Sequence, residues 1–336
     1  MAEGLVMSRH DVLDGDTVDA VQDNLSAESL FPSRAFVAGL QTTLRQQVHC
    51  SGIGLHCGHI VNLTLKPAPA GTGIRFYRTD IPPESAWIDG RWDSVSDTTL
   101  CTTVGNRHGV TVATVEHLVA ALAAAGVDNV VVALDAPEPP AMDGSAEPFL
   151  FLIECAGVIS QSAQRPMLRI VKPVRVEDGV KSAMFLPGAG TNIDVTIDFE
   201  SPVIGRQRIA LALSGMRFKS DLARARTFGF AHEVAYMQSK GLARGGSLDN
   251  AVVIQDDAVI NPGGLRFADE FVRHKALDAV GDLYLAGGPF IGRYVANQPG
   301  HKLNNLLLRA LLADPDAYEW TGSAKAAAAG RALATA

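Results

Sequence analysis

Long apolar runs are missing from this 336-residue chain: none approaches the roughly 20 residues that a helix needs to cross a bilayer. Paired cysteine motifs are missing too. Cys50, Cys57, Cys101 and Cys155 are the only cysteines. Their spacing gives neither a disulfide framework nor C-x-x-C pairs, which favours a reducing compartment. Basic charge is in short supply, with 29 Lys and Arg against 36 Asp and Glu and a net charge of -7. That balance excludes the electrostatic footprint of a nucleic-acid binder, although a local basic pocket for a phosphorylated ligand remains compatible with it. A basic segment followed by an apolar one is absent at the start, where Asp11, Asp14, Asp16 and Asp19 stand instead. No signal peptide is expected, and the expected compartment is the cytoplasm.

What the chain does have is core-forming material, 47% hydrophobic against 19% charged, the balance of a globular protein with room for two domains. Residues 1–40 are polar and acidic without periodicity and read as a flexible extension; 316–336 read as a C-terminal tail, Ala-rich from Gly322 to Ala336. Between them, strand patterns run over 42–50, with a turn at Ser51-Gly52, then over 61–66 and 74–77. A short strand at 111–113 leads through Thr114, placed as an N-cap, into a helix over 115–125 closed by Gly126. A strand at 129–134, a Pro-rich loop at 136–142 and a helix capped by Ser145 follow. Gln164-Arg165-Pro166 reads as a linker. The order then recurs: strands over 168–199, a helix over 271–285, a strand over 290–295 and a helix over 302–312 stopped by Asp314-Pro315. Strands, helix, strand, helix, twice over, is a duplicated α+β pattern. The expected domains are 41–164 and 165–315.

Chemistry concentrates in a few places. His274, Asp278 and Asp282 are four apart and share one face of a helix that is apolar nearly all round. Such a helix is buried, so its carboxylates need partners; a plain buried His–Asp hydrogen bond also satisfies that requirement. Thr114-Val115-Glu116-His117 opens another helix, where the macrodipole favours a neutral His117 and an ionised Glu116. A glutamate in a first turn is also ordinary capping. Together His117, His274 and Asp278 offer two nitrogens and one oxygen, the donor set of a catalytic zinc with an open fourth position. Beside it, Glu116 is placed to take a proton from water. His301, on a turn before the last helix, is a candidate general acid or a surface histidine. A second metal-loving cluster, His49, Cys50, His56, Cys57 and His59, matches no structural-zinc spacing and straddles a Gly-rich turn, which fits a hairpin better.

These motifs, with Ser51-Gly52-Ile53-Gly54-Leu55-His56, Met142-Asp143-Gly144-Ser145-Ala146, Arg224-Ala225-Arg226-Thr227-Phe228-Gly229-Phe230, Phe271-Val272-Arg273-His274-Lys275-Ala276-Leu277-Asp278 and Gly300-His301, occur in an order that resembles the UDP-3-O-acyl-N-acetylglucosamine deacetylase family (LpxC) over roughly residues 41–315. The resemblance implies two similar α+β domains, each a sheet layered with helices, facing each other across the active site, with a small insert in each. It implies zinc on His117, His274 and Asp278, Glu116 as general base and His301 as general acid oriented by Asp282. By the same likeness Thr227 supports the oxyanion, Lys275 binds substrate, Phe228 forms part of the floor, and 229–253 forms an apolar acyl-chain passage. Phe230, Val234, Tyr236, Met237 and Leu242 supply apolar surface for such a passage, or ordinary core. Arg224, Arg226 and Lys275 offer cations for a pyrophosphate. The His₂Asp set also suits Fe(II). The implied substrate is UDP-3-O-(3-hydroxyacyl)-N-acetylglucosamine and the implied setting lipid A biosynthesis; nothing in the sequence calls for more than a monomer. The competing readings are an amidohydrolase of another N-acyl sugar, a silent nucleotide-sugar binding module, and a structural zinc protein built on the 49–59 cluster.

Overall fold

The computed structural model describes residue 36 and residues 38–322. Six α-helices are found among them: α1 (Glu116–Ala125), α2 (Glu147–Ala156), α3 (Gly215–Asp221), α4 (Ala231–Ser239), α5 (Glu270–Tyr284) and α6 (His301–Ala313). The fold is α+β, and its two halves share one plan.

In the first half the sheet runs Val48–Ile53, Ile60–Pro67, Val130–Leu134, Ile74–Arg78, Trp87–Asp89. Val130–Leu134 is central, antiparallel to Ile60–Pro67 and parallel to Ile74–Arg78. This strand lies in sequence between α1 and α2. In the second half Phe290–Asn297 occupies the same place between α5 and α6, antiparallel to Lys181–Leu186 and parallel to Thr191–Asp198. Each half also carries a small three-stranded insert before its long helix. One is Val95–Asp97, Thr103–Gly105 and Thr111–Val112; the other is Phe228–Phe230, Val252–Gln255 and Ala258–Val259, with α4.

The halves meet helix on helix. α1 packs on α2, α3 and α5, while α5 also packs on α6 and on the strands Thr191–Asp198 and Arg206–Ala212. α1 is buried along its whole length, and its sequence, EHLVAALAAA, explains how. Alanines let neighbouring backbones approach, and Leu118 and Leu122 fill the gaps at 0% exposure, each contributing about 1.5–3 kcal/mol of transfer energy. One continuous core of buried residues joins the halves.

Several sequence expectations need correction. The strand expected over 42–50 is two strands: Leu40–Leu44 pairs with Val158–Gln164, and Val48–Ile53 joins the main sheet. Ser51-Gly52 lies inside that strand, and the chain reverses at residues 54–59. Thr114 is not the cap of α1. It sits at φ +53° with its hydroxyl donating to Glu138, and Val115 occupies the cap position. Gln164-Arg165-Pro166 runs between the strands Val158–Gln164 and Met167–Ile170 but is not exposed throughout: Arg165 is buried, its Nε 2.7 Å from Asp128 and its guanidinium 3.1 Å from the Tyr284 hydroxyl. Nor does the tail begin at 316, because Tyr318–Thr321 forms an edge strand on Met167–Ile170. Residues 1–35, residue 37 and residues 323–336, which hold most of the expected extension and tail, lie outside the described residues. No helix of the described residues is long and apolar enough to cross a membrane.

Candidate metal and catalytic site

The site lies where α1, α5 and α6 converge. His117 comes from the first turn of α1; His274, Asp278 and Asp282 come from one face of α5; His301 is the first residue of α6. Gly281 makes the convergence possible. A Cβ there would stand 2.1 Å from the Glu116 carbonyl oxygen, so only glycine lets α5 come this close to α1.

Asp278 Oδ1 is 3.5 Å from His117 Nε2 and 3.3 Å from His274 Nε2. Among the described residues, His117, His274 and Asp278 are the one group of His, Cys, Asp or Glu whose potential ligand atoms converge, all within 4.8 Å of one another. Asp278 Oδ1 is buried without any hydrogen-bond partner, whereas Oδ2 accepts from Lys275 Nζ at 2.8 Å. An orphaned carboxylate oxygen between two imidazole nitrogens is costly unless something electropositive sits there. His274 Nδ1 lies 3.0 Å from the Ala225 carbonyl; donating its proton there turns the Nε2 lone pair toward Asp278, as the hydrogen bond behind a ligating histidine must. Burial pushes the pKa of His274 down to about 3, with the Asp278 carboxylate pulling the other way, so the ring is neutral and able to ligate. These residues fit a divalent ion with three protein ligands and an open position.

Two more groups face this point. Glu116 is almost fully buried, and one carboxylate oxygen accepts from the Thr102 backbone N–H at 2.9 Å. Burial pushes its pKa up, opposed by His301 and His117. Its other oxygen is 4.0 Å from His301 Nε2. His301 Nδ1 is 2.9 Å from Asp282 Oδ2, which also accepts from Asn304 Nδ2 at 2.8 Å. Burial works against a charge on His301, but the Asp282 and Glu116 carboxylates outweigh it and push its pKa up to about 9. Lys275 is likewise held cationic: burial opposes the charge, and the Asp278 carboxylate overcomes it.

The second insert supplies one wall. Phe228 packs edge-on against Phe271 at 5.0 Å between ring centroids and against His274 at 6.2 Å, with Lys275 Nζ 5.6 Å from its own centroid. Thr227 is placed by its backbone, donating from N–H to the Gly144 carbonyl at 2.9 Å and accepting from Val252 N–H at 2.7 Å. Gly144 has φ +80°, and a Cβ on it would meet the Asn250 carbonyl oxygen at 2.0 Å.

Some sequence candidates stand elsewhere. Arg226 is buried in an ion pair with Glu270 at 2.9 Å and is not open to a pyrophosphate; Arg224 is exposed, 3.5 Å from Glu147. Burying a guanidinium requires such a carboxylate, and Glu270, first residue of α5, supplies it. The cluster at 49–59 gathers no metal-ligand group among the described residues. Along α4 no residue is buried, and Tyr236 is 65% exposed, so its apolar side chains are not core.

Sequence reasoning missed Thr102. Its N–H serves Glu116 while its hydroxyl donates to Asp282 Oδ1 at 2.5 Å, tying the two carboxylates together from the first insert. A lone threonine beside Cys101 carries no signal by itself. Asn304 was missed as well, and so was Tyr294, whose hydroxyl donates to Asn304 Oδ1 at 2.6 Å. The one legible cue was that Asn304 lies one turn after His301 on α6.

Comparison with known proteins follows the same lines. The family model described as LpxC, UDP-3-O-acyl N-acetylglycosamine deacetylase, matches residues 41–313. Proteins named UDP-3-O-acyl-N-acetylglucosamine deacetylase are similar over most of the chain. The one from Tolumonas auensis is 50% identical over 284 residues, covering 83% of this chain and 92% of the relative. That from Vibrio parahaemolyticus is 51% identical over 285 residues, covering 84% and 92%, and that from Pasteurella multocida 51% over 282 residues, covering 83% and 92%.

Proposed function

Because the chain belongs to the UDP-3-O-acyl-N-acetylglucosamine deacetylase family, we propose that it hydrolyses the N-acetyl group of UDP-3-O-(3-hydroxyacyl)-N-acetylglucosamine. The products are acetate and the free amino sugar, the family's step in lipid A biosynthesis. One observation carries the reading: the orphaned Asp278 oxygen between His117 and His274, with Glu116 and His301 side by side across from it. His117, His274 and Asp278 hold the ion, and zinc is the metal we assign, with Fe(II) as the second candidate for this donor set.

A bound ion would supply Lewis acidity toward the attacking water and the amide carbonyl. The chain's own residues do the rest. Glu116, buried and fixed by the Thr102 amide, accepts the proton of the attacking water. His301 presents Nε2 to the reacting centre while Asp282 holds its Nδ1–H, so the cation both offsets charge on the carbonyl oxygen and gives a proton to the departing amine. The Thr227 hydroxyl adds a donor for that oxygen. Water adds across the carbonyl, the C–N bond breaks and the amine leaves protonated. Lys275 and Phe228 border the position of the sugar, and residues 229–253 form the acyl-chain passage, consistent with an α4 that exposes Tyr236 and leaves Val234 and Met237 only half-buried.

Deacetylation of that substrate by purified protein, measured beside metal content, tests the reading. We expect about one zinc per chain, as a single three-ligand catalytic site requires. Glu116→Ala should lose activity with the metal retained, and His274→Ala should lose both. An inactive, folded and metal-replete wild type would sink the assignment in favour of a nucleotide-sugar binding module.

A further inference from the structure

Glu138 is a buried carboxylate, 1% exposed, that the chemistry above does not use. It stands in the Pro-rich loop between the strand Val130–Leu134 and α2. Three groups donate to it. The His56 N–H lies 2.9 and 3.2 Å from its two oxygens, the Cys57 N–H 2.6 Å away and the Thr114 hydroxyl 3.3 Å away. Backbone N–H donors to an ionised acceptor make the stronger class of hydrogen bond. The turn at 54–57 closes directly over the carboxylate, since a Cβ on Gly54 would meet Glu138 Oε1 at 2.6 Å. Thr114, two residues before Glu116, is held at φ +53°.

The outer side of that turn grips the second half of the molecule. The His56 carbonyl accepts from Arg244 N–H at 3.3 Å and the Leu55 carbonyl from Gly245 N–H at 3.0 Å. His56 Nδ1 is 3.4 Å from Ala243 N, and Ala243 itself is held at φ +49°. A Cβ on Gly245 would stand 2.1 Å from the Gly54 carbonyl oxygen, so the two segments touch backbone to backbone. Residues 243–245 are the return from α4, the helix with no buried residue. α4 packs on the strands Phe228–Phe230 and Val252–Gln255 without fully burying any residue, so the segments at its ends help to hold it in place. One end of α4 is the strand Phe228–Phe230; the other is the segment pinned by the turn that Glu138 holds.

We propose that Glu138 is a positioning residue for acyl-chain recognition. Through the 54–57 turn it fixes the 243–245 segment, and with it the α4 side of the passage. This rests on the deacetylase reading and on the passage role of 229–253. A carboxylate serving only fold stability would affect every substrate alike; one that positions the passage acts on KM for long acyl chains.

The test is steady-state deacetylation by the full chain of UDP-N-acetylglucosamine bearing a long or a short 3-O-acyl group, with amide hydrogen exchange run in parallel. In Glu138→Ala, KM for the long-chain substrate should rise about tenfold with kcat within about threefold, a loss of binding common to ground and transition state. For the short chain KM should scarcely move. Glu138→Gln keeps one acceptor oxygen for the turn amides and should recover most of the loss; it also covers the case of a poorly folding alanine variant. The Arg244 and Gly245 amides should exchange faster in Glu138→Ala while those of α5 stay unchanged. Equal losses on both chains, or unaltered exchange at Arg244 and Gly245, overturn the proposal. If the wild type deacetylates neither substrate, the deacetylase reading is what fails, and the exchange measurement then decides the anchoring alone.

Discussion

Gly281 lies against the backbone of Glu116, so close that a Cβ on it would be 2.1 Å from the Glu116 carbonyl oxygen. The candidate base and the helix carrying two candidate ligands are thus set by one missing methyl group. In an ordinary helix interior Gly→Ala stabilises by about 1 kcal/mol. Here the methyl meets backbone on a helix buried throughout, and such overpacking costs about 1–3 kcal/mol, which decides the sign. Gly281→Ala should therefore lower the denaturation midpoint and also reduce kcat, because relief requires α1 and α5 to move apart. A more stable variant with full activity would contradict this.

Arg226 and Glu270 make the opposite kind of contribution, stability without chemistry. Glu270 has no exposed surface; it accepts from the Arg226 side chain at 2.9 and 3.1 Å, from Arg226 N–H at 3.0 Å and from Arg266 N–H at 2.6 Å. Burial would raise its pKa, but the Arg226 side chain and these two amides more than reverse that and hold it low. A depressed folded-state pKa stabilises above the unfolded value and is lost as pH falls, so this pair strengthens the fold at neutral pH and fails in acid. Arg226→Met leaves the carboxylate without its cation and should cost about 3–5 kcal/mol in denaturant unfolding. Zinc content of the protein that remains folded should be unchanged; selective loss of metal would point to a role for Arg226 in the site.

These two cases show what the sequence makes legible. The i, i+4 run of His274, Asp278 and Asp282 and the opening of α1 at Glu116-His117 announced themselves because helical periodicity converts spacing into a shared face. The duplicated order of strands and helices was readable for the same reason. Arg226 reads as a free cation in sequence, since its partner lies 44 positions away; only the fold supplies Glu270. Thr102 reaches Asp282 across 180 positions. The break between Leu40–Leu44 and Val48–Ile53 was hidden because Arg45-Gln46-Gln47 holds no Gly or Pro to mark it, and what divides the two is a partner strand at Val158–Gln164.

His301 sets an expected pH dependence. Its pKa is pushed up to about 9 from an ordinary 6.5, Asp282 and Glu116 together overcoming burial. A histidine raised in the folded state gives stability that is complete below about 6.5 and lost as pH rises through about 9. If its protonated form is the catalytic one, kcat/KM should fall along a basic limb near pH 9. Asp282→Asn removes the carboxylate that contributes most to the raised value, so the limb should move toward 6.5 and the variant should be most impaired on the alkaline side. The pH–rate profile reads this directly; an unmoved limb would assign the ionisation to another group.

Metal removal separates a catalytic ion from a structural one. The three candidate ligands project from helices whose packing is already complete: α1 and α5 are buried in a core that joins both halves. The one defect at the site is the orphaned Asp278 oxygen. Chelation should therefore abolish activity while circular dichroism keeps the folded signature, unlike a zinc-nucleated domain, which unfolds when stripped. Returning zinc should raise the denaturation midpoint, since a ligand at 100 times its Kd stabilises by about 2.7 kcal/mol. Asp278→Ala should erase that zinc-dependent increment, because two imidazoles alone hold the ion weakly and Lys275 then faces the site without the carboxylate it now pairs with at 2.8 Å. A zinc increment that survives in Asp278→Ala would place the stabilising ion elsewhere in the chain and separate it from the site on α1 and α5.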